Sequence, residues 1–73
     1  MGKNAGMIGI LLNGEPREIP AGSTALDVVA LVAASLSRVA MERNRNVLPR
    51  VEWWVTLAEE GDSFEIVHLV GGG

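Results

Sequence analysis

The 73-residue sequence contains no cysteine, and its one histidine is His68. Without thiols the chain forms no disulfide, no thiolate zinc site and no iron–sulfur cluster, and it has no cysteine nucleophile. One histidine alone does not supply a transition-metal site or a nucleophile–base pair. We therefore expect no bound metal or cofactor and a His68 that is structural or faces solvent. The lack of cysteine also fits a location in the reducing cytoplasm.

Long hydrophobic runs are missing as well. The apolar run from Val28 to Ala34 has seven residues, whereas a membrane-spanning helix needs about 20. The first residues, MGKNAG, are not followed by the long apolar segment and cleavage site of a secretory signal. A net charge of −3 is the wrong sign for binding phosphates. These features predict no membrane association, no secretion signal and no nucleic-acid partner.

The charges that are present change sign along the chain. Arginines dominate the middle, and from position 52 onward only acidic charges occur, at Glu52, Glu59, Glu60, Asp62 and Glu65. A solvated surface is the first interpretation of this acidic region, and electrostatic steering of a partner is the second. The cluster before position 63 lacks the spacing of a calcium loop, so we expect a solvated acidic turn.

The N-terminal part has the pattern of a β-hairpin. The apolar segment from Met7 to Leu12 runs into Asn13-Gly14, a common two-residue hairpin turn. Residues 17–19 then predict a short returning strand, which Pro20 closes because proline has no backbone N–H to donate.

A helix is predicted next, because Ser23 and Thr24 offer hydroxyl caps and Asp27 places a carboxylate in the first turn. A helical stripe of apolar residues follows at Ala25, Val28, Val29, Val32 and Leu36. This spacing predicts one helix reaching Leu36, packed against the hairpin.

The remainder predicts further strands. Residues 39–43 resemble a third strand and 47–48 a short fourth, separated by a turn at 44–46. Residues 49–54 predict a loop or one helical turn, in which one of Trp53 and Trp54 is buried. The best strand pattern covers 64–70, with apolar side chains on both faces, which is typical of a central strand. The fold class is therefore α+β, one mixed sheet with one main helix on one face.

The end of the sequence is a run of three glycines, Gly71, Gly72 and Gly73. Glycines have no side chains and great backbone freedom. One interpretation is a frayed end. The other is that the α-carboxylate of Gly73 is the reactive group, and that the glycines thread a narrow channel into another protein's active site.

Several short segments, in order, carry a resemblance to a known family. They lie at 13–15, 39–44, 47–50, 52–53, 60–62, 64–67 and 70–73. With these segments the chain resembles ThiS, the bacterial sulfur carrier of thiazole synthesis, over about residues 7–73. Members commonly end in two glycines, and here there are three. They often carry glycine and proline after the helix, which residues 33–38 lack, so we expect a longer helix here.

The resemblance implies a β-grasp, ubiquitin-like fold and a role as protein co-substrate rather than enzyme. It divides the chain into a flexible extension at 1–6, a β-grasp domain at 7–70 and a flexible glycine tail at 71–73. It implies that an E1-like adenylyltransferase of the ThiF type activates Gly73 with ATP. Sulfur from a cysteine desulfurase pathway then forms a thiocarboxylate, which a thiazole synthase of the ThiG type consumes.

Two alternatives share the same fold. One is the small subunit of molybdopterin synthase, and the other is a ubiquitin-like modifier that forms isopeptide bonds with lysines. We expect the activating enzyme to contact an apolar surface beside the tail, formed by Val67, Leu69 and Val70.

Overall fold

The computed structural model describes residues 6–70, so residues 1–5 of the predicted extension at 1–6 and the glycines at 71–73 lie outside the described residues. Five strands form one mixed sheet in the order β2-β1-β5-β3-β4. The strands are β1 Met7–Leu12, β2 Glu15–Pro20, β3 Val39–Arg43, β4 Asn46–Val47 and β5 Ser63–His68. A short helix, α1 Ala25–Val29, follows β2, and a 3-10 helix, Arg50–Glu52, precedes β5.

The predicted N-terminal hairpin is confirmed. Leu12 pairs with Glu15, which leaves Asn13 and Gly14 as a two-residue loop with φ angles of 53° and 84°. Positive φ at both central residues suits the twist of the flanking strands. The returning strand β2 is longer than the predicted 17–19, because it lies at the edge of the sheet, where a proline N–H is not needed.

The start of the helix also follows the prediction. Thr24 is the N-cap: its hydroxyl accepts a hydrogen bond from the Asp27 N–H at 3.2 Å. The Asp27 carboxylate accepts in return from the Thr24 N–H at 2.9 Å. This reciprocal capping box satisfies backbone donors that the first helical turn leaves without partners.

The predicted helix length is wrong, because α1 ends at Val29 instead of reaching Leu36. Beyond Val29 the chain tightens into turns, and Val32 donates to Val29 rather than to a carbonyl four residues back. The Ser35 and Ser37 hydroxyls then bond to each other at 2.9 Å, a local arrangement that competes with helix formation. Leu36 nevertheless packs against the core, so the apolar spacing is satisfied without a helix.

The C-terminal strands agree with the prediction in type and differ at their ends. β3 covers 39–43 as predicted, and the fourth strand is Asn46–Val47, one residue earlier than predicted. β5 ends at His68 rather than at position 70. It lies at the centre of the sheet, parallel to β1 and antiparallel to β3. The predicted α+β class with a central last strand is confirmed.

The core lies between the sheet and α1. Val28, Val29 and Phe64 are completely buried, and Trp53 retains 2% of its exposure whereas Trp54 retains 66%. The Trp53 indole N–H donates to the Leu48 carbonyl at 2.8 Å, which satisfies its polar group inside the core. The prediction that one tryptophan of the pair is buried is therefore confirmed.

Candidate functional site

The candidate site is the surface that leads toward the predicted glycine tail. Val67 and Leu69 each expose 51% of their area and Val70 exposes 93%. Val67 and Leu69 lie on the outer face of the sheet, because side chains alternate along an extended chain and Phe64 and Ile66 face the core. The structure thus brings Val67 and Leu69 together as exposed apolar groups on one face, and Val70 is exposed directly after them. Their binding role remains a prediction.

Ala40 belongs to the same surface and was missed by the sequence prediction. It is exposed and pairs directly with Val67 across the antiparallel ladder between β3 and β5. Facing residues of such a pair lie on the same side of the sheet. The two-residue period of β3 places Ala40 on the outer face, but its proximity to Val67 depends on strand pairing.

β5 is anchored on both sides as it approaches the tail. On one side, the Leu69 N–H donates to the Arg38 carbonyl at 2.7 Å, which extends the β3 ladder by one residue. On the other side, the Asn13 N–H donates to the Phe64 carbonyl at 2.8 Å. The Asn13 side-chain oxygen then accepts from the Ile66 N–H at 2.8 Å, so this amide substitutes for a strand neighbour.

The beginning of β5 is fixed by a partly buried ion pair. Arg43 donates to the Asp62 carboxylate from Nε at 2.9 Å and from Nη2 at 2.8 Å. Asn44 and the Glu59 N–H also donate to this carboxylate, at 3.1 and 2.9 Å. The expected solvated acidic turn is therefore wrong at Asp62, which retains only 6% of its exposure.

The environment of Asp62 shifts its acidity. Burial raises the pKa of the carboxyl, because it disfavours the charged form. The hydrogen bonds from Glu59, Asn44 and Arg43, together with the positive charge of Arg43, outweigh burial and hold the pKa below its ordinary value. Asp62 is thus an ionised structural anchor at neutral pH.

The outer face also carries a pair of like charges. Glu42 and Glu65 are exposed and directly opposite each other in the β3–β5 ladder. Like charges in this position destabilise a sheet by a modest amount. His68, at the end of β5, is exposed, in agreement with the expectation of a solvent-facing residue.

Within residues 6–70, no group of three or more acidic or histidine side chains is arranged to hold a metal ion. None of the helices in this part of the chain is both long enough and apolar enough to cross a membrane.

Comparison with known families identifies the chain. The profile of the ThiS family matches residues 10–73, a region that includes α1, all of the sheet beyond the first residues of β1, and the three glycines. The chain belongs to the ThiS family. This is a family of small sulfur carrier proteins of thiamine biosynthesis, and the resemblance stated from the sequence segments is confirmed.

Two curated relatives of this ThiS-family chain are named thiazole synthase. The protein from Magnetococcus marinus is 38% identical over 64 residues, and that from Paramagnetospirillum magneticum is 31% identical over 64 residues. Each match covers 88% of this chain and 20% of the relative. The chain therefore spans about a fifth of the length of these relatives.

A solved structure supports the same assignment. The crystal structure of the thiamine biosynthesis protein ThiS from Geobacter metallireducens superposes with a TM-score of 0.76 at 28% identity. The match covers 90% of this chain and 100% of that one. The fold is thus the ubiquitin-like β-grasp that the resemblance implied.

Proposed function

We propose that this chain is a sulfur carrier for thiazole formation and that the Gly73 carboxylate carries the sulfur. The observation that carries the proposal is the family match, which continues from the sheet through Gly73. The exposed residues Val67, Leu69 and Val70 support it, because they provide apolar contact area directly before the glycines.

The proposed chemistry begins with activation, because a free carboxylate is a poor electrophile. A carboxylate oxygen of Gly73 attacks the α-phosphorus of ATP, and pyrophosphate leaves. The terminal sulfur of a persulfide from the cysteine desulfurase pathway then attacks the carbonyl carbon and displaces AMP, which forms an acyl disulfide. A thiol, such as that of free cysteine, attacks the other sulfur of this acyl disulfide, so that the thiocarboxylate leaves and a new disulfide takes up the oxidation. The thiocarboxylate formed in this way donates its sulfur to a thiazole synthase of the ThiG type.

The catalytic groups for these steps belong to the partners. The ThiF-type adenylyltransferase binds ATP and aligns it with the tail, while the carrier contributes the reacting carboxylate and a docking surface. Gly71 and Gly72 lack side chains, so they suit a narrow channel. On this proposal the chain is a co-substrate.

The names of the relatives favour the thiazole route over the alternative in molybdopterin synthesis. Both curated relatives described above are named thiazole synthase, and the solved structure is of a thiamine biosynthesis protein. Co-purification distinguishes the routes: we expect a thiazole synthase with this chain. Recovery of a large molybdopterin synthase subunit instead would support the alternative.

Mass spectrometry tests the central step. The purified chain is incubated with ATP, a ThiF-type adenylyltransferase, a cysteine desulfurase and cysteine. We expect its C-terminal peptide to gain the mass of one oxygen-to-sulfur exchange. A matched variant with one alanine added after Gly73 places an amide at that carbon, so it should gain nothing. Equal conversion of the extended variant without proteolysis would contradict the proposal.

The proposal also requires Gly73 to have a free α-carboxylate in the cell. The intact mass of the protein isolated from its source organism measures this directly. We expect a species that ends at Gly73. A protein in which Gly73 is joined only to a following residue would contradict the carboxylate chemistry, even if the β-grasp fold is present.

A further inference from the structure

The half of β5 nearest the tail has a strand neighbour on only one side. Toward β3, the ladder continues to Leu69, whose N–H donates to the Arg38 carbonyl. Toward β1, residue pairing ends at Leu12 and Phe64, and the Asn13 side chain supplies the last contact, to the Ile66 N–H. Beyond Ile66, no residue within the described range pairs with the chain on this side.

The contacts also determine which backbone groups face this open side. Leu69 donates toward β3, whereas Ile66 donates toward Asn13, and successive residues in extended chain alternate in direction. The Ile66 carbonyl, the N–H and carbonyl of His68, and the Val70 N–H therefore point to the open side. This edge, from Ile66 to Val70, is about 13 Å long at roughly 3.3 Å per residue.

Two other edges of the sheet, along β2 and along the start of β3, are protected against pairing with another chain. β2 carries Pro16 and Pro20, each of which lacks a backbone donor. Along β3, the Arg50 guanidinium donates to the Val39 carbonyl at 3.4 Å and covers that edge. Among residues 6–70, the open edge of β5 has neither a proline nor a covering arginine, although unprotected edges are a hazard that natural proteins usually avoid.

We propose that residues 66–70 pair as a β-strand with an extended segment of the activating adenylyltransferase. Backbone donors and acceptors spaced along an edge are complementary to another extended backbone, which is the basis of strand addition. Such pairing would fix the direction of the chain just before the glycines. The inference rests on the proposed activation of Gly73 and specifies how the enzyme holds the segment that precedes it.

Charge favours the enzyme over a second copy of this chain. Glu65 lies on the outer face of β5 just before this edge and is repelled by Glu42, which faces it from β3 on the other side of β5. The whole chain has a net charge of −3. A second copy would bring the same two carboxylates and the same net charge, whereas a lysine or arginine would relieve the repulsion. We therefore infer that the added segment carries a basic side chain on the outer face.

Amide hydrogen exchange of the full chain tests the pairing residue by residue. In the free protein, the amide of Leu69 should exchange more slowly than those of His68 and Val70. Adding a ThiF-type adenylyltransferase at saturating concentration should slow exchange at His68 and Val70 by at least about tenfold, since each N–H would gain a partner. A saturated complex in which both amides still exchange at the free rate would overturn the inference.

A proline substitution provides an independent test. His68→Pro removes an N–H that faces the open edge, and His68→Ala is the matched control that keeps it. We expect the proline variant to bind the adenylyltransferase about tenfold more weakly than the alanine variant, the value of about one good hydrogen bond. Equal affinities, with urea midpoints showing that both variants are folded, would overturn the inference.

The outcomes separate this inference from the proposed function. Thiocarboxylation at Gly73 with no protection at His68 or Val70 would overturn strand addition and leave the carrier function intact. Concentration-dependent protection of the same amides without enzyme would show a second copy in the edge and would overturn the choice of partner. Failure of the adenylyltransferase to bind at all would overturn both.

Discussion

Arg43 and Asp62 are 19 residues apart in the sequence, and their side chains form an ion pair at 2.8 Å. Arg43 ends β3 and Asp62 lies in the turn before β5, so the pair links two segments that are separated in the chain by β4, the 3-10 helix and their connecting loops. The Asn44 side chain strengthens the link, because it donates to Asp62 and accepts from the Ser63 N–H at 2.9 Å. Together these contacts fix the point at which β5 begins.

We expect Asp62→Asn to lower the free energy of unfolding by about 1 to 3 kcal/mol at neutral pH, because a buried charged hydrogen-bond acceptor is lost. The parent should also lose stability in acid. The pKa of Asp62 is lower in the folded than in the unfolded state, so the ionised carboxylate stabilises the fold above about pH 4. This stabilisation declines as the pH falls further.

Urea unfolding from pH 7 to pH 2 measures both effects of Asp62→Asn. The stability of the variant should depend less on pH in the acid range than that of the parent. Glu52→Gln removes an exposed carboxylate and serves as the control, with a change expected within about 0.5 kcal/mol. Identical acid profiles for the parent and Asp62→Asn would show that the ion pair does not contribute.

Val28→Ala should destabilise the domain by about 1 to 3 kcal/mol, because buried methyl groups are lost and a cavity is left. Val28 is completely buried, whereas Val55 exposes 77% of its area and provides the same substitution at the surface. Urea midpoints compare the two variants. Equal midpoints would contradict the assignment of Val28 to the core.

The adjacent tryptophans should respond very differently to the same change. Trp53→Ala removes a buried ring, its hydrogen bond to Leu48 and the Arg50 guanidinium contact 5.0 Å from the ring centre, and should cost about 3 to 5 kcal/mol. Trp54→Ala should cost less than about 0.5 kcal/mol. If thermal unfolding shows similar losses for both, Trp54 has a structural role that its exposure does not indicate.

Leu69→Asp should weaken the complex with the adenylyltransferase at least tenfold, because it places a charge in an apolar contact. Loss of one central side chain from such a contact typically costs about 2 kcal/mol or more of binding free energy. The matched control is Leu57→Asp. Leu57 exposes 54% of its area and Leu69 exposes 51%, and Leu57 lies outside the proposed surface. In a calorimetric titration, equal affinities for the two variants would remove Leu69 from the interface.

Changes in the glycine tail should abolish sulfur transfer without unfolding the domain. Deleting Gly73 shortens the chain by about 3.5 Å, and the reacting atoms must approach to roughly 3 to 3.5 Å. Gly72→Val adds a branched side chain that should obstruct a narrow channel. Thiocarboxylate formation is measured by mass spectrometry, with circular dichroism to confirm folding. Parent-level conversion by either variant would contradict the threading of the tail.

The sequence was sufficient to predict the features that depend only on neighbouring residues. Asn13-Gly14 predicted a hairpin whose loop has those two residues, and Thr24 and Asp27 predicted the start of α1, because turns and caps depend on neighbouring residues. The class of fold also followed, because the apolar pattern of β5 on both faces required a central strand.

The wrong predictions concern features that depend on contacts between residues far apart in the sequence. Leu36 packs on the core at helical spacing, yet the chain there must turn toward β3, and the Arg50 guanidinium binds the Leu36 carbonyl. Asp62 has acidic neighbours in the sequence, whereas its actual partner is Arg43. Ala40 joins Val67 only through strand pairing. None of these contacts can be inferred from a short window of sequence.

The parallel pairing of β1 with β5 has a consequence for biosynthesis. The ribosome makes β1 early and β5 late, yet the two strands are neighbours at the centre of the sheet. Until Phe64 and Ile66 leave the exit tunnel, a nascent chain lacks two core residues and the strand that joins both halves of the sheet. Cooperative folding must therefore wait until nearly all of the domain has been translated, so its apolar segments remain open to chaperones during synthesis.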